Sequence, residues 1–117
     1  MHILLAEDEA INRLYIRNLI RKKGWSVHEA ADGEQALKAL ENERFDLILL
    51  DLGLPKKDGY EIAKSVQEHG LDVKILAVTG YDYPEDRKKI REAGMHGLIP
   101  KPIQEHFFYE EIQRVCP

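Results

Sequence analysis

Five short apolar runs alternate with longer amphipathic segments along the chain, and this alternation strongly restricts the folds available to it. Four of the runs are compact and rich in Ile, Leu and Val, which is typical of strands buried on both faces of a sheet. The runs are Ile3–Ala6, Val27–Ala30, Phe45–Leu50, Val73–Val78 and the weaker Gly97–Ile99. Helices are predicted at Ala10–Lys23, Glu34–Asn42, Tyr60–His69, Pro84–Ala93 and Gln104–Val115. Such β-α units in series predict an α/β fold, in which a parallel sheet carries helices on both faces.

Length and charge narrow the classes of protein further. A chain of 117 residues has the length of one ordinary domain, so residues 1–117 are expected to form a single domain. Its formal charge of −4 argues against direct binding of nucleic acid. One cysteine, Cys116, excludes an internal disulfide bond. The apolar runs are too short to span a membrane, and no secretory leader is recognised, so a cytoplasmic protein without membrane contact is expected.

Polar residues stand where the predicted strands end. Glu7 and Asp8 follow the first strand, and Asp51 follows the third. Thr79 and Lys101 follow the fourth and fifth strands. Because the carboxyl ends of parallel strands meet at one edge of the sheet, we expect these side chains to share one crevice.

Three carboxylates in one crevice persist only if a cation neutralises them or if some of them stay protonated. At an effective dielectric constant of about 20 and a separation of about 4 Å, each pair repels by about 4 kcal/mol. Oxygen ligands favour a hard cation, Mg²⁺ or Mn²⁺. Asp8 and Asp51 are the predicted direct ligands, Glu7 is expected to act through water, and the backbone carbonyl of Gly53 is a candidate for the remaining protein ligand.

The same residues fit phosphoryl chemistry. A carboxylate such as Asp51 can act as a nucleophile toward phosphorus and form an aspartyl phosphate. The transferred group carries charge on three oxygens, so a cation and hydrogen-bond donors are needed around it. Lys101 and Thr79 are the predicted donors.

The sequence resembles the receiver domain of two-component response regulators over essentially its whole length. The matching motifs are Ile3-Leu-Leu-Ala-Glu-Asp8, Asp51-Leu-Gly-Leu-Pro-Lys-Lys-Asp-Gly59, Val78-Thr79-Gly80 and Lys101-Pro102. The resemblance implies a flavodoxin-like (βα)5 fold with strand order 2-1-3-4-5 and a cis bond before Pro102. It also implies that Asp51 accepts a phosphoryl group from a histidine kinase or a histidine phosphotransfer domain. In such a domain Glu7 and Asp8 serve the metal, while Thr79 and Lys101 read the phosphorylated state.

Two stretches of the sequence bear on the subtype. The segment from Ala6 to Arg13, and Ala93-Gly-Met followed by Lys101-Pro-Ile103, resemble receivers fused to hybrid sensor kinases, so a fused kinase or output domain is expected; a free-standing regulator would look the same at this length. Leu98 stands where the family often carries Tyr or Phe, which argues against an aromatic-coupled switch. Tyr81, two residues after Thr79, is a candidate gate against attack of water on the phosphorylated site.

The predicted function is that of a phosphoacceptor domain, which catalyses its own phosphorylation and dephosphorylation but is not an enzyme in the usual sense. Two alternatives stay open. A pseudo-receiver would bind partners without being phosphorylated. A small Mg²⁺-dependent phosphatase would use Asp51 as its nucleophile. Against the phosphatase, Gly53 stands two residues after Asp51, where that class needs its general acid.

Overall fold

Strands and helices alternate throughout the computed structural model, which describes residues 1–56 and 58–117. Lys57, inside the predicted Asp51–Gly59 motif, lies outside the described residues. The strands are β1 His2–Ala6, β2 Ser26–Ala30, β3 Leu47–Asp51, β4 Lys74–Thr79 and β5 Gly97–Pro100. The helices are α1 Ala10–Lys22, α2 Gly33–Asn42, α3 Gly59–Glu68, α4 Pro84–Glu92 and α5 Glu105–Val115. Every predicted element is present, and its bounds differ from the prediction by at most two residues.

All five strands pair in parallel in the order β2-β1-β3-β4-β5, as predicted. Ala6 lies beside both Ala30 and Leu50, and Asp51 lies beside Val78. The order reverses between β1 and β3, so the carboxyl ends of these two strands border the crevice in which such sheets bind ligands. Both acid-bearing strand ends therefore meet at the position that the topology favours for a site.

Side chains of the sheet alternate between two cores. Leu4, Ile48 and Leu50 face the core that also contains buried residues of α2, α3 and α4. Their neighbours in sequence face the opposite core, which contains buried residues of α1 and α5. β3 is buried along its whole length because both of its faces are covered, which explains its unbroken apolar run.

Local sequence signals set the helix ends. Asp32 and Asp58 are the N-caps of α2 and α3, and their side chains accept hydrogen bonds from the backbone N–H groups of Gln35 and Glu61. Three helices are followed by glycines with positive φ: Gly24, Gly70 and Gly94.

The fourth helix packs lightly, as its charged sequence predicts. Ile90 is the buried residue of α4, whereas α3 buries Gly59, Ile62, Ala63 and Val66. Lys89 of α4 places its ammonium 4.4 Å from the centre of the Tyr60 ring on α3. Among the described residues, none of the helices combines the length and the apolar character needed to cross a lipid bilayer.

Candidate functional site

Three acidic side chains meet at the carboxyl ends of β1 and β3. One carboxylate oxygen from each of Glu7, Asp8 and Asp51 lies within 4.8 Å of the others. Glu7 is 1% exposed and Asp51 is 8% exposed, whereas Asp8 is open to solvent. The cluster is thus buried on one side and accessible through Asp8 on the other.

Lys101 reaches this cluster from the end of β5. Its Nζ atom lies 3.4 Å from Glu7 Oε1 and 3.5 Å from Asp51 Oδ2. The bond between Lys101 and Pro102 is cis, as the resemblance implied. A single ammonium therefore faces both buried carboxylates.

Thr79 completes the row of polar strand ends. It is 6% exposed and lies on β4, one residue beyond the neighbour of Asp51 in the sheet. Its hydroxyl accepts a hydrogen bond of 3.1 Å from the backbone N–H of Tyr81, and its carbonyl accepts one of 2.8 Å from the N–H of Lys101. The structure thus brings Glu7, Asp8, Asp51, Thr79 and Lys101 to one edge of the sheet.

Burial and neighbouring groups shift the pKa values of the two buried acids, Glu7 and Asp51, in opposite directions. Burial, followed by the hydrogen bond with Asp51 and the charge of Asp51, raises the pKa of Glu7 to about 7. Burial opposes ionisation of Asp51 too, but hydrogen bonds with Glu7 and the Gly53 N–H, together with the charge of Lys101, hold the pKa of Asp51 below its ordinary value. Of the two buried acids, Asp51 is therefore the one that ionises more readily.

The residues fit a hard divalent cation. Glu7 Oε2 is buried and has no hydrogen-bond partner among the described residues, so this carboxyl oxygen is left for a group that the protein itself does not supply. Carboxylate oxygens are the ligands that Mg²⁺ and Mn²⁺ prefer. Gly53 donates its backbone N–H to Asp51 Oδ1 over 3.0 Å, which places this residue beside the acid; its carbonyl as a ligand stays a prediction.

The loop after β3 is tied to the start of α2. The N–H of Gly33 donates to the carbonyl of Pro55 over 3.1 Å. Lys56 Nζ lies 3.5 Å from Asp32 Oδ2, the N-cap of α2. These contacts hold the segment that carries Asp51 and Gly53.

Sequence reasoning missed one residue of α1 that supports the acids. Arg13 donates from its guanidinium to the backbone carbonyls of Glu7 and Asp8. The sequence carries no signal for these contacts, because they depend on how α1 lies against β2. α1 begins at Ala10, and its N-cap residue, Glu9, makes no side-chain hydrogen bond to the helix.

Comparison with known proteins places the chain among signalling receivers. The sequence model of a family described as response regulator receiver domain matches residues 3–113. The sensor histidine kinase RcsC of Escherichia coli is 30% identical over 103 residues, which are 88% of this chain but 11% of that protein. The response regulator protein PmrA of Pseudomonas aeruginosa is 36% identical over 103 residues, and the match spans 47% of its length. The chain thus corresponds to a minor part of these relatives.

Solved structures agree with the topology. The receiver domain of sensor histidine kinase PA1611 from Pseudomonas aeruginosa, described with a magnesium ion coordinated in its active-site cleft, matches with a TM-score of 0.89 and 33% identity, covering 99% of this chain and 98% of that one. The chemotaxis response regulator CheY4 of Vibrio cholerae matches with a TM-score of 0.92 and 28% identity over 97% of both chains. The flavodoxin-like (βα)5 fold is therefore confirmed, and the chain belongs to the response regulator receiver domains of two-component signalling.

Proposed function

We propose that Asp51 accepts a phosphoryl group from the phosphohistidine of a histidine kinase or of a histidine phosphotransfer domain, in a reaction that requires a divalent cation. The observation that supports this most directly is the approach of Lys101 Nζ to Asp51 Oδ2 and Glu7 Oε1, at 3.5 and 3.4 Å, inside a crevice of three carboxylates. A nucleophile, a charge-neutralising ammonium and a cation-binding cluster are then adjacent. Phosphoryl transfer needs little more, because it depends chiefly on positioning and charge stabilisation.

The transfer is a simple displacement at phosphorus. An oxygen of the ionised Asp51 carboxylate forms the new P–O bond while the P–N bond of the phosphohistidine breaks. The imidazole nitrogen leaves with the bonding electron pair and takes up a proton, which neutralises it. Later hydrolysis of the acyl phosphate by water restores the carboxylate and releases inorganic phosphate.

Glu7, Asp8 and Asp51, with the backbone carbonyl of Gly53, would hold Mg²⁺, and Mn²⁺ would fit the same ligands. The cation would supply neutralisation of charge on the phosphoryl oxygens. Lys101 would contact a second oxygen, and the Thr79 hydroxyl would donate to a third. The magnesium described in the PA1611 receiver supports this assignment of the acids.

Phosphorylation would act on the fold through Thr79 and Lys101. The Thr79 hydroxyl now accepts from Tyr81 N–H, so turning it toward a phosphoryl oxygen would disturb the start of the loop before α4. Ile90 is the buried residue of this helix, so α4 would be displaced more easily than a helix with a wider buried face. Leu98 is 2% exposed in the core beside it, so the response would not include the swing of a ring at that position.

The partner is proposed from the relatives. RcsC and EvgS of Escherichia coli, a sensor histidine kinase and a sensor protein, match 88% of the chain, which favours a kinase or a phosphotransfer domain as donor and a fused kinase or output domain in the full-length protein. Residues 1–117 would act as one receiver domain. The cytoplasmic location expected from the sequence stays a prediction.

Treatment with a small phosphodonor, acetyl phosphate, tests the proposal. With Mg²⁺ the intact mass of the protein should rise by one phosphoryl group, and chelation with EDTA should prevent the change. Asp51→Asn should abolish it, whereas the control Asp72→Asn, on an exposed loop, should not. Repeated turnover of many phosphate esters would instead identify a phosphatase, and no reaction at all would identify a pseudo-receiver.

A further inference from the structure

A side chain holds the peptide groups of the two acids that follow β1. Arg13 Nη1 donates to the carbonyl oxygen of Glu7 over 3.0 Å and to that of Asp8 over 2.9 Å. Both residues lie between the end of β1 and the start of α1. One guanidinium therefore restrains two consecutive peptide groups of the loop that carries both acids.

Arg13 is itself anchored to the edge strand. Its Nε atom lies 3.7 Å from Glu29 Oε1, and Arg17 Nη1 donates to Glu29 Oε2 over 3.0 Å. Glu29 belongs to β2, and the next residue, Ala30, accepts the backbone N–H of Glu7 over 3.0 Å. The loop is thus tied to β2 twice, once through the backbone and once through Arg13.

We propose that Arg13 is a positioning residue for cation binding: it fixes the backbone of Glu7 and Asp8 and so orients their carboxylates before the cation arrives. The inference rests on the proposed function, since it concerns the same acids. A planar guanidinium can direct one nitrogen to both carbonyls and another toward Glu29, which a lysine ammonium at the end of a flexible chain cannot do. Outer partners that orient metal ligands are commonly worth about 10- to 100-fold in metal affinity.

The direction in which an Arg13 substitution changes the Mg²⁺ affinity distinguishes a positioning role from a purely electrostatic one. Arg13 is positively charged and lies beside a cation site, so loss of its charge alone would tighten the binding of Mg²⁺. Loss of its hydrogen bonds would free the loop and weaken that binding. A role in folding alone would lower the melting temperature but leave the Mg²⁺ affinity of the folded protein unchanged.

Titration with MgCl₂ by isothermal calorimetry, well below the melting temperature, measures this affinity. We expect Arg13→Gln to raise the Kd for Mg²⁺ about ten-fold relative to the wild-type chain. Arg13→Lys keeps the charge and should also raise the Kd for Mg²⁺. This variant provides the test if Arg13→Gln does not fold. Arg21→Gln is the matched control, since it removes the same charge from an exposed position of the same helix and should leave the Kd unchanged.

Phosphorylation by acetyl phosphate gives a second readout. In Arg13→Gln the Mg²⁺ concentration for half-maximal rate should rise by the same factor as the Kd, while the rate at saturating Mg²⁺ stays near that of the wild type. An unchanged or lower Kd in both Arg13 variants would overturn the positioning role and leave the proposed function standing. A wild-type chain that binds no Mg²⁺ would overturn both.

Discussion

The carboxyl group of Glu7 is buried beside Asp51 and Lys101. Its Oε2 atom has no hydrogen-bond partner among the described residues, and Oε1 lies 3.4 Å from Lys101 Nζ. One ammonium cannot compensate two buried carboxylates fully. Without a cation the molecule relieves the conflict by keeping a proton on Glu7, which the raised pKa of this residue expresses.

The proton on Glu7 makes the stability of the cation-free protein depend on pH. The pKa of Glu7 is about 7 in the folded state against an ordinary 4.5, so the folded chain binds this proton where the unfolded chain has lost it. The free energy of unfolding should therefore fall as the pH rises from about 4.5 to about 7. Urea denaturation in EDTA should show this decline, and Glu7→Gln should flatten it. If the free energy of unfolding of Glu7→Gln declined with pH as steeply as that of the wild type, the decline would have to come from another titratable group.

Tyr81 is the exposed aromatic residue next to the Thr79 hydroxyl. Its backbone N–H is bonded to Thr79 Oγ1, while its side chain is 69% exposed. If the ring limits access of water to the acyl phosphate, Tyr81→Ala should shorten the lifetime of phosphorylated Asp51. The lifetime is followed by intact mass after removal of the phosphodonor. Tyr83→Ala, on the same loop and 63% exposed, is the control, and equal lifetimes in both variants and the wild type would refute the gate.

The start of α3 packs directly on the loop after β3. A Cβ atom added at Gly59 would lie 2.9 Å from the Cα of Leu52 and 3.2 Å from the carbonyl oxygen of Asp51. These are backbone atoms, which cannot move aside without shifting the loop. The close approach of α3 therefore helps to fix the segment that carries Asp51 and Gly53.

Gly59→Ala should for this reason destabilise the fold by about 1–3 kcal/mol, the usual cost of overpacking. Urea denaturation measures the change, and the loosened loop should also weaken Mg²⁺ binding in calorimetry. Gly80→Ala is the control, because a Cβ there meets nothing within 4 Å. If the two variants were equally stable, the close packing of α3 on the loop would not constrain the site.

The elements themselves could be predicted because each carries its own signal. Apolar runs, the Asp32 and Asp58 caps and the glycines at helix ends are local features of the sequence. The order of the strands in the sheet depends on contacts between distant parts of the chain, and its prediction came from the family resemblance. The contacts of Arg13 could not be predicted, because they depend on how α1 lies against β2, and the spacing of residues along one helix does not contain that relation.

Binding of a cation to the acid cluster should increase the free energy of unfolding of the protein. A ligand that binds the folded state alone adds RT ln(1 + [L]/Kd) to the free energy of unfolding, about 2.7 kcal/mol at one hundred times the Kd. Mg²⁺ at millimolar concentration should therefore raise the melting temperature. Asp8→Asn should melt at or above the wild type in EDTA, because one charge of the cluster is gone, and should gain little from Mg²⁺. If Mg²⁺ left the melting temperature of the wild type unchanged, the proposal of a metal site would be contradicted.

A crystal structure with Mg²⁺ and beryllofluoride would show whether side chains from four strand ends together hold a phosphoryl group on Asp51. Beryllofluoride takes the place of the phosphoryl group on a carboxylate. We predict beryllium bonded to an Asp51 oxygen, the cation held by Glu7, Asp8 and Asp51, and fluorines contacted by the Thr79 hydroxyl and the Lys101 ammonium. An adduct at another carboxylate, or one at Asp51 that neither Thr79 nor Lys101 contacts, would contradict the account.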